Sequence, residues 1–196
     1  YYLRGLLRDY QALRAAGRQP YLTIGPWWHA NGEGMLTGLR AGIDWFEAHL
    51  KGKRVVRDSP VRIYVVGAGE WRGYEAFPPP ATSTRYYLRA AGRLEAAPPA
   101  TDEPPDRYRY DPADPTPAAG GAVLAMRGAG PVDNRALEAR DDVLCYTTEP
   151  LAEDLEIIGP VRLDLHAASS LASTDFFGRQ CDVAPDGEST NAVSYT

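Results

Sequence analysis

Three consecutive prolines at residues 78–80 divide this chain more sharply than any other feature of its sequence. Proline lacks a backbone N–H and fixes φ near −65°, so neither a helix interior nor a central strand runs through such a segment. Apolar residues recur at helical spacing before the prolines, whereas short β-rich runs follow them. The sequence therefore predicts two domains, with the boundary between about Gly67 and Pro80.

The residues before this boundary predict alternating helices and strands. Apolar side chains at residues 3–13 repeat at i, i+3, i+4 and i+7, which is typical of an amphipathic helix. A second helix is predicted at about residues 36–49, with one apolar stripe that we expect to be buried. That stripe consists of Leu39, Ile43, Phe46 and Leu50. Short strands are predicted at residues 21–24 and 61–66.

The residues after the boundary predict an all-β domain. The expected strands lie at residues 86–90, 143–147, 155–158, 161–167 and 175–183. Apolar and polar side chains alternate over 161–167, as in a half-buried antiparallel strand. A long irregular segment, residues 96–130, is rich in proline and tyrosine, and we expect it to drape over a neighbouring surface. The pattern as a whole predicts a β-sandwich of jelly-roll type.

The composition argues against several classes of function. The chain has 196 residues and a net charge of −5, without the clustered Lys and Arg that nucleic-acid binding needs. No apolar run approaches the ~20 residues of a membrane span, and no signal peptide is visible. The histidines and carboxylates show no metal-ligand spacing, and no phosphate-binding glycine loop follows a strand. We therefore expect no metal, no cofactor, no nucleic-acid partner and no membrane association.

The two cysteines, Cys145 and Cys181, bear on the cellular compartment. One disulfide is an open alternative, but two buried free thiols are favoured, as in a cytosolic protein. A cytoplasmic location is favoured for the same reason. The chain opens without an initiator Met and within a helical pattern, so we interpret it as a piece of a longer protein.

His29 is the candidate catalytic residue. The strand at residues 22–24 runs into Gly25-Pro26, which turns the chain and holds the following residues at the edge of the core. An imidazole placed there suits a general base that must meet both solvent and substrate. By contrast, His49 in the last turn of a helix and His166 on the polar face of a strand are interpreted as surface residues.

Four tryptophans accompany these residues. For Trp28, a role in walling a substrate pocket and a role in packing are left open, whereas packing is favoured for Trp27. Trp45 and Trp71 are interpreted as packing residues.

Residues 24–29, Ile-Gly-Pro-Trp-Trp-His, resemble the histidine motif of the cocaine-esterase/X-Pro dipeptidyl-peptidase family of serine hydrolases. Further stretches similar to the family follow in order. They lie at residues 60–67, 70–72, 110–117, 120–121, 140–144, 151–155 and 174–176. Together these stretches span most of the chain, and their order supports the resemblance.

The resemblance implies a fold of class α/β plus β. Residues 1–70 would be the C-terminal part of an α/β-hydrolase catalytic domain, and residues 71–196 a jelly-roll β-sandwich. His29 would be the histidine of a Ser-His-Asp triad, which removes the proton of the serine hydroxyl as that hydroxyl attacks a carbonyl. Beyond the turn at residues 185–187 the relatives continue into further strands, so we expect the jelly roll to lack its last strands.

The other two triad residues are not found in this chain. No serine lies in a Gly-x-Ser-x-Gly context, and the triad aspartate of the relatives lies just ahead of the helix that opens here. Asp9, on the polar face of that helix, is not its substitute. We therefore expect these 196 residues to be inactive alone, as part of a serine hydrolase of esterase, acylase or dipeptidyl-peptidase type.

The expected partner of the longer protein is a small ester, amide or peptide substrate, and a homo-oligomer is left open. Two alternatives also remain open. The chain is a non-catalytic β-sandwich module for binding or assembly, or it belongs to an inactive relative of the hydrolases.

Overall fold

A computed structural model of the chain describes residues 3–28, 31–54, 57–100, 103–121 and 128–195. These residues form two compact units. The first contains the described residues up to 79 together with 128–130, and the second contains residues 80–121 and 131–195.

The first unit opens with helix α1, Leu3–Ala15, which confirms the helix predicted at residues 3–13. The helix ends where Gly17 takes a φ of +72° and the amide of Arg18 donates to the carbonyl of Leu13 at 3.0 Å. A glycine at this position avoids the penalty that a Cβ would incur in the left-handed region. On the apolar side of α1, Tyr10 is buried, and its hydroxyl accepts a hydrogen bond from the amide of Phe77.

A three-stranded sheet forms the centre of the first unit. Strand β1, Leu22–Ile24, pairs in parallel with β2, Val61–Val65, and β2 pairs antiparallel with β3, Glu70–Tyr74. Helix α2, Gly32–Lys51, connects the two parallel strands, as such strands require. The sheet places Leu22 opposite Val61, and both side chains are buried.

The predicted burial of the α2 stripe is wrong. The helix itself is present, capped by Asn31 at its start and by Gly52, with a φ of +65°, at its end. Its four stripe residues, however, are between 50% and 77% exposed. They are Leu39, Ile43, Phe46 and Leu50. Periodicity fixes which side chains share a face, but burial also needs a second surface, and no described element covers this face of α2.

The second unit contains two antiparallel hairpins. Strands β4, Tyr87–Arg89, and β5, Arg93–Glu95, are joined through Ala90–Gly92. Strands β6, Gly178–Val183, and β7, Ser189–Tyr195, are joined through a turn, with a bulge between Gln180 and Cys181. The only described α-helix of this unit is the short α3, Arg135–Glu138. Of the predicted strands, those at 86–90 and 175–183 are confirmed in shortened form.

The other predicted strands do not form as predicted. Of residues 143–147, Thr147 alone joins a ladder, through an isolated bridge to Arg93, and residues 155–158 and 161–167 have no ladder in the described chain. Alternation selects the two faces of an extended segment, whereas a strand also needs a partner for its N–H and C=O groups. The described strands of this unit form two hairpins, and the complete jelly roll remains a prediction.

The proline-rich segment is held mainly by polar contacts. The guanidinium of Arg89 binds Glu103, and the hydroxyl of Tyr146 donates to Asp106 at 2.7 Å. Burial raises the pKa of Tyr146 to about 12, and the hydrogen bond to Asp106 acts in the same direction. Tyr108 and Tyr110 remain 42% and 52% exposed, so the tyrosines themselves do not anchor the segment as we expected.

Candidate active site

The start of strand β1 is tied to the segment that leads into β2. The side chain of Arg57 donates to the carbonyl of Leu22 at 2.7 Å and to the hydroxyl of Thr23 at 2.9 Å. Its Nε donates to the carbonyl of Ser59 at 2.8 Å, next to the start of β2. Burial lowers the pKa of Arg57, but a guanidinium stays protonated at neutral pH. One cation therefore clamps the two parallel strands at the end where the chain enters them.

The chain leaves β1 through Gly25-Pro26 and reaches Trp27, whose indole lies against two glycines. A Cβ placed on Gly25 would approach the six-membered ring to 2.7 Å, and one on Gly34 would approach Cγ to 2.9 Å. Both distances are too short for a real Cβ, so glycine is needed at both positions for this contact. Gly25 directly follows β1 and Gly34 lies in the first turn of α2, so one ring contacts the chain both before and after residues 29 and 30.

Trp27 also packs on the sheet. The centroids of the Trp27 and Trp71 rings are 5.6 Å apart, and Trp71 meets Tyr64 edge-on at 5.4 Å. The guanidinium of Arg62 lies 5.2 Å from the Trp71 ring, in cation–π geometry. The packing roles predicted for Trp27 and Trp71 are confirmed by these contacts.

His29 lies outside the described residues, together with Ala30. The chain on either side of them is described. The amide of Asn31 donates to the carbonyl of Trp28 at 3.2 Å, and the side chain of Asn31 accepts from the amide of Gly34 at 2.9 Å. The two ends that flank residues 29 and 30 are therefore tied to each other and to the start of α2. The catalytic role of His29 remains a prediction.

Trp28 differs from Trp27 in its exposure. Trp28 is 47% exposed, and a Cβ added to Gly130 would lie 3.9 Å from the Cβ of Trp28. An exposed aromatic side chain at this position is accessible to a ligand. The role of Trp28 in a substrate pocket remains a prediction.

The two remaining histidines lie away from this segment along the chain. In the last turn of α2, Nδ1 of His49 donates to the carbonyl of Trp45 at 2.8 Å, and the two rings stack with centroids 4.0 Å apart. His166 is exposed in an irregular stretch of the second unit. Among the residues described, no three His, Cys, Asp or Glu side chains come together in a way that could hold a metal ion.

A buried polar cluster in the second unit was not predicted from the sequence. Asn134 is 1% exposed, and its amide group donates to the carbonyls of Val132 and Ser189. The guanidinium of Arg179 donates to the side-chain oxygen of Asn134, and the Ser189 hydroxyl donates to Glu138 at 2.6 Å. These bonds fasten the β6–β7 hairpin to the segment before α3. Isolated polar residues give no periodic signal, so only the fold brings them together.

The contact between Trp27 and Gly34 was not predicted from the sequence either. The signal that could have revealed it is Gly34 itself, in the first turn of α2, since glycine is unfavourable in a helix unless something needs the space beside it. A large ring seven residues earlier supplies that need.

With this geometry in place, comparison with known proteins assigns the chain to a class. Residues 53–196 match the family of X-Pro dipeptidyl-peptidase C-terminal non-catalytic domains. The chain belongs to this family. The match begins before β2, so the predicted boundary after residue 70 lies within it, and the compact units divide after residue 79. The 1–70 and 71–196 division of the longer protein stays a prediction.

Several individual proteins are similar to the chain. It is 36% identical over 192 positions to a cocaine esterase from Rhodococcus sp. strain MB1 Bresler, with 85% of this chain and 33% of the esterase covered. It is 30% identical over 182 positions to a protein of Mycobacterium bovis that is named as a serine esterase, with 85% and 29% covered. The chain thus spans about a third of the length of these curated relatives.

A solved structure supports the fold. An aminopeptidase from a marine sediment archaeon, Thaumarchaeota archaeon, superposes with a TM-score of 0.57 at 24% identity. The superposition covers 74% of this chain and 28% of the aminopeptidase. At this identity the likeness concerns the fold alone.

Among the described helices, none combines the length and the apolar character that a membrane crossing demands.

Proposed function

We propose that this chain is the C-terminal part of a serine hydrolase that cleaves ester or amide bonds, and that His29 is its general base. The neutral imidazole would take the proton of a serine hydroxyl as that oxygen attacks the substrate carbonyl, and would then return it to the leaving group. A carboxylate would hold the correct tautomer of the ring. The serine and the carboxylate would come from residues ahead of Tyr1, in an α/β-hydrolase domain whose tail is residues 1–70.

One observation supports this proposal most strongly. The similarity to cocaine esterase covers 85% of the chain, which is more than residues 53–196 contain, so it extends into residues 1–52. At this coverage at least about 23 of these residues are matched, and the histidine motif at residues 24–29 lies in the same part of the chain, outside the region matched to a non-catalytic domain. The parallel β1–α2–β2 unit fits the same proposal, because catalytic loops of α/β proteins follow the carboxyl ends of such strands.

The small ester, amide or peptide substrate would meet His29 from the solvent side, where Trp28 is exposed. Trp28 would then wall part of the pocket that binds the acyl or leaving group. Residues 71–196 would form the jelly-roll domain that follows the catalytic one.

A second candidate has its own support. The family description of residues 53–196 is non-catalytic, which favours a binding or assembly role for the second unit. This role is compatible with a catalytic domain elsewhere in the same protein. A module that works without any hydrolase domain, or an inactive relative, is the alternative that the following experiment separates from our proposal.

The test is His29→Ala in the full-length protein, assayed with a p-nitrophenyl ester and with a fluorophosphonate that labels activated serines. Loss of a triad histidine removes the base, so kcat should fall by about 10⁴-fold or more, and labelling should stop. The matched control is His49→Ala, because this imidazole stacks on Trp45 at the far end of α2. It should retain the parent rate and the parent labelling.

Two results would count against the proposal. The first is a His29→Ala protein with the parent circular dichroism spectrum that still turns over the ester at a rate within about twofold. The second is a full-length protein that no fluorophosphonate labels, which would instead favour the inactive relative. Residues 1–196 alone should show no hydrolysis that depends on His29.

A further inference from the structure

The side chain of Trp27 contacts the chain on both sides of residues 29 and 30. It follows Gly25 at the end of β1, and its ring reaches Gly34 in the first turn of α2. Residues 29 and 30 lie between these flanks in the chain. A ring that contacts both sides limits how far the ends of the intervening segment can move apart.

The same ring is held from a third direction. Trp71 of β3 packs against Trp27 with ring centroids 5.6 Å apart, and Trp71 is itself held by Tyr64 and Arg62 of β2. Strand β2 pairs with both β1 and β3. The sheet therefore fixes the position of the indole, and the indole in turn fixes the start of α2 relative to the end of β1.

A general base depends strongly on such support. A catalytic group works when it is held within about 0.5 Å of its productive position, and a misplacement of about 1 Å costs about 10²-fold in rate. The hydrogen bond from Asn31 to the carbonyl of Trp28, at 3.2 Å, ties the segment ends but does not connect them to the sheet. The Trp27 ring makes that connection.

We infer that Trp27 is a positioning residue for the general base at residue 29, acting through its packing on Gly25, Gly34 and Trp71. This inference rests on the proposed function. The role belongs to the ring and not to its N–H group, since that N–H is buried without an acceptor among the described residues. The residue need not touch the substrate.

The first test compares Trp27→Ala and Trp27→Phe in the full-length protein. Trp27→Ala should lower kcat for a p-nitrophenyl ester by about 10²-fold and change KM by less than about threefold, because the base is displaced while the substrate pocket remains. Trp27→Phe keeps an aromatic ring and removes the N–H, so it should retain at least about a third of the parent kcat. Trp45→Phe, on the exposed face of α2, is the matched control and should retain the parent kcat.

The second test displaces the Trp27 ring by a substitution at Gly34, against which the ring packs. Gly34→Ala adds a Cβ that would lie 2.9 Å from Cγ of Trp27, so the ring must shift and kcat should fall about tenfold or more. In a Trp27→Ala background the added methyl meets no ring, so Gly34→Ala should lower kcat little further. A loss of stability unrelated to the ring would instead add to the first loss.

The outcomes separate this inference from the proposed function. If His29→Ala abolishes turnover while both Trp27→Ala and Gly34→Ala keep kcat within about threefold, the positioning role is overturned and the hydrolase proposal stands. If His29→Ala keeps its activity, the hydrolase proposal fails first. If Trp27→Ala does not fold, Gly34→Ala and Trp27→Phe decide: parent kcat in Gly34→Ala, or a Phe variant as poor as the His29 variant, overturns the inference.

Discussion

Arg140 binds the carboxylate of Asp142 through two hydrogen bonds, from Nε to Oδ1 at 2.7 Å and from Nη2 to Oδ2 at 3.0 Å. The same guanidinium donates to the backbone carbonyl of Asp114 at 2.9 Å, and Asp142 also accepts from the hydroxyl of Thr116 at 2.7 Å. A bidentate pair of this kind fixes orientation as well as distance. It fastens the segment around residues 111–117 to the turn after α3.

Removing the Arg140 side chain should increase the mobility of the segment around residues 111–117. In Arg140→Ala, the amides of Ala113 and Asp114, which donate to Asp111, should lose protection against hydrogen exchange by about tenfold or more. Mass spectrometry of peptides covering residues 108–120 measures this loss. Arg162→Ala is the matched control, because Arg162 binds Asp164 at 2.7 Å in an exposed position. Unchanged exchange in Arg140→Ala would show that the proline-rich segment keeps its conformation without the contacts of Arg140.

The same contact predicts a dependence of stability on pH. Hydrogen bonds from Arg140 and then from Thr116 lower the pKa of Asp142 to about 2, against about 3.9 in an unfolded chain. The stabilisation is therefore complete above about pH 4 and is lost as the pH falls through 2. Thermal unfolding should show a gap between the parent chain and Asp142→Asn that is widest at pH 5–7 and narrows toward pH 2. A gap that stays constant would contradict the assignment.

How far the sequence predicts this molecule depends on the range of each signal. Local signals worked: the stripe at residues 3–13 forms α1, and the glycine at 17 ends it. Signals that need a distant partner failed, because the alternation at 161–167 is real while no strand pairs with it in the described chain. In the candidate site the sequence predicted that Trp27 packs, but not that it packs on Gly34.

The β4–β5 turn offers a matched pair of substitutions. Ala91 takes a φ of +61°, which costs an L-residue about 1–2 kcal/mol. Glycine would avoid this cost, but part of the gain would be offset because glycine loses more conformational entropy on folding than alanine does. Ala91→Gly should therefore stabilise the chain by about 0.5 kcal/mol. Gly92→Ala should destabilise it by about 2 kcal/mol, because its φ is +69° and the new Cβ would lie 2.8 Å from the carbonyl oxygen of Cys145.

Urea unfolding of the two variants, monitored by far-ultraviolet circular dichroism, measures both changes in the same experiment. The opposite signs are the diagnostic result. If both variants shift the midpoint in the same direction, the left-handed turn at residues 91–92 is not the conformation in solution.

The two thiols should react slowly. Both cysteines are free, but neither is buried as we expected, since Cys145 is exposed and Cys181 is half-buried. Partial desolvation of the thiol is the largest cause that raises the pKa of Cys145 and of Cys181, and the carboxylate of Glu138 raises both further. Because the thiolate is the reactive form, iodoacetamide at pH 7.5 should modify both more slowly than glutathione, and urea should abolish the difference. Modification of Cys145 as fast as glutathione would contradict the raised pKa.

The exposed stripe of α2 predicts how the chain itself behaves in solution. The four residues of this stripe are between 50% and 77% exposed. Contiguous apolar patches of more than a few hundred Å² mark interaction surfaces. Residues 1–196 should therefore bind the dye ANS and self-associate at micromolar concentration.

Leu39→Glu with Phe46→Glu should reduce both effects severalfold, since each substitution places a charge within the stripe. Arg40→Gln, one residue along from the stripe, changes a charge without removing apolar surface and should leave both effects in place. Sedimentation velocity would decide, and a monomer without ANS binding would mean that the stripe is covered by the chain itself.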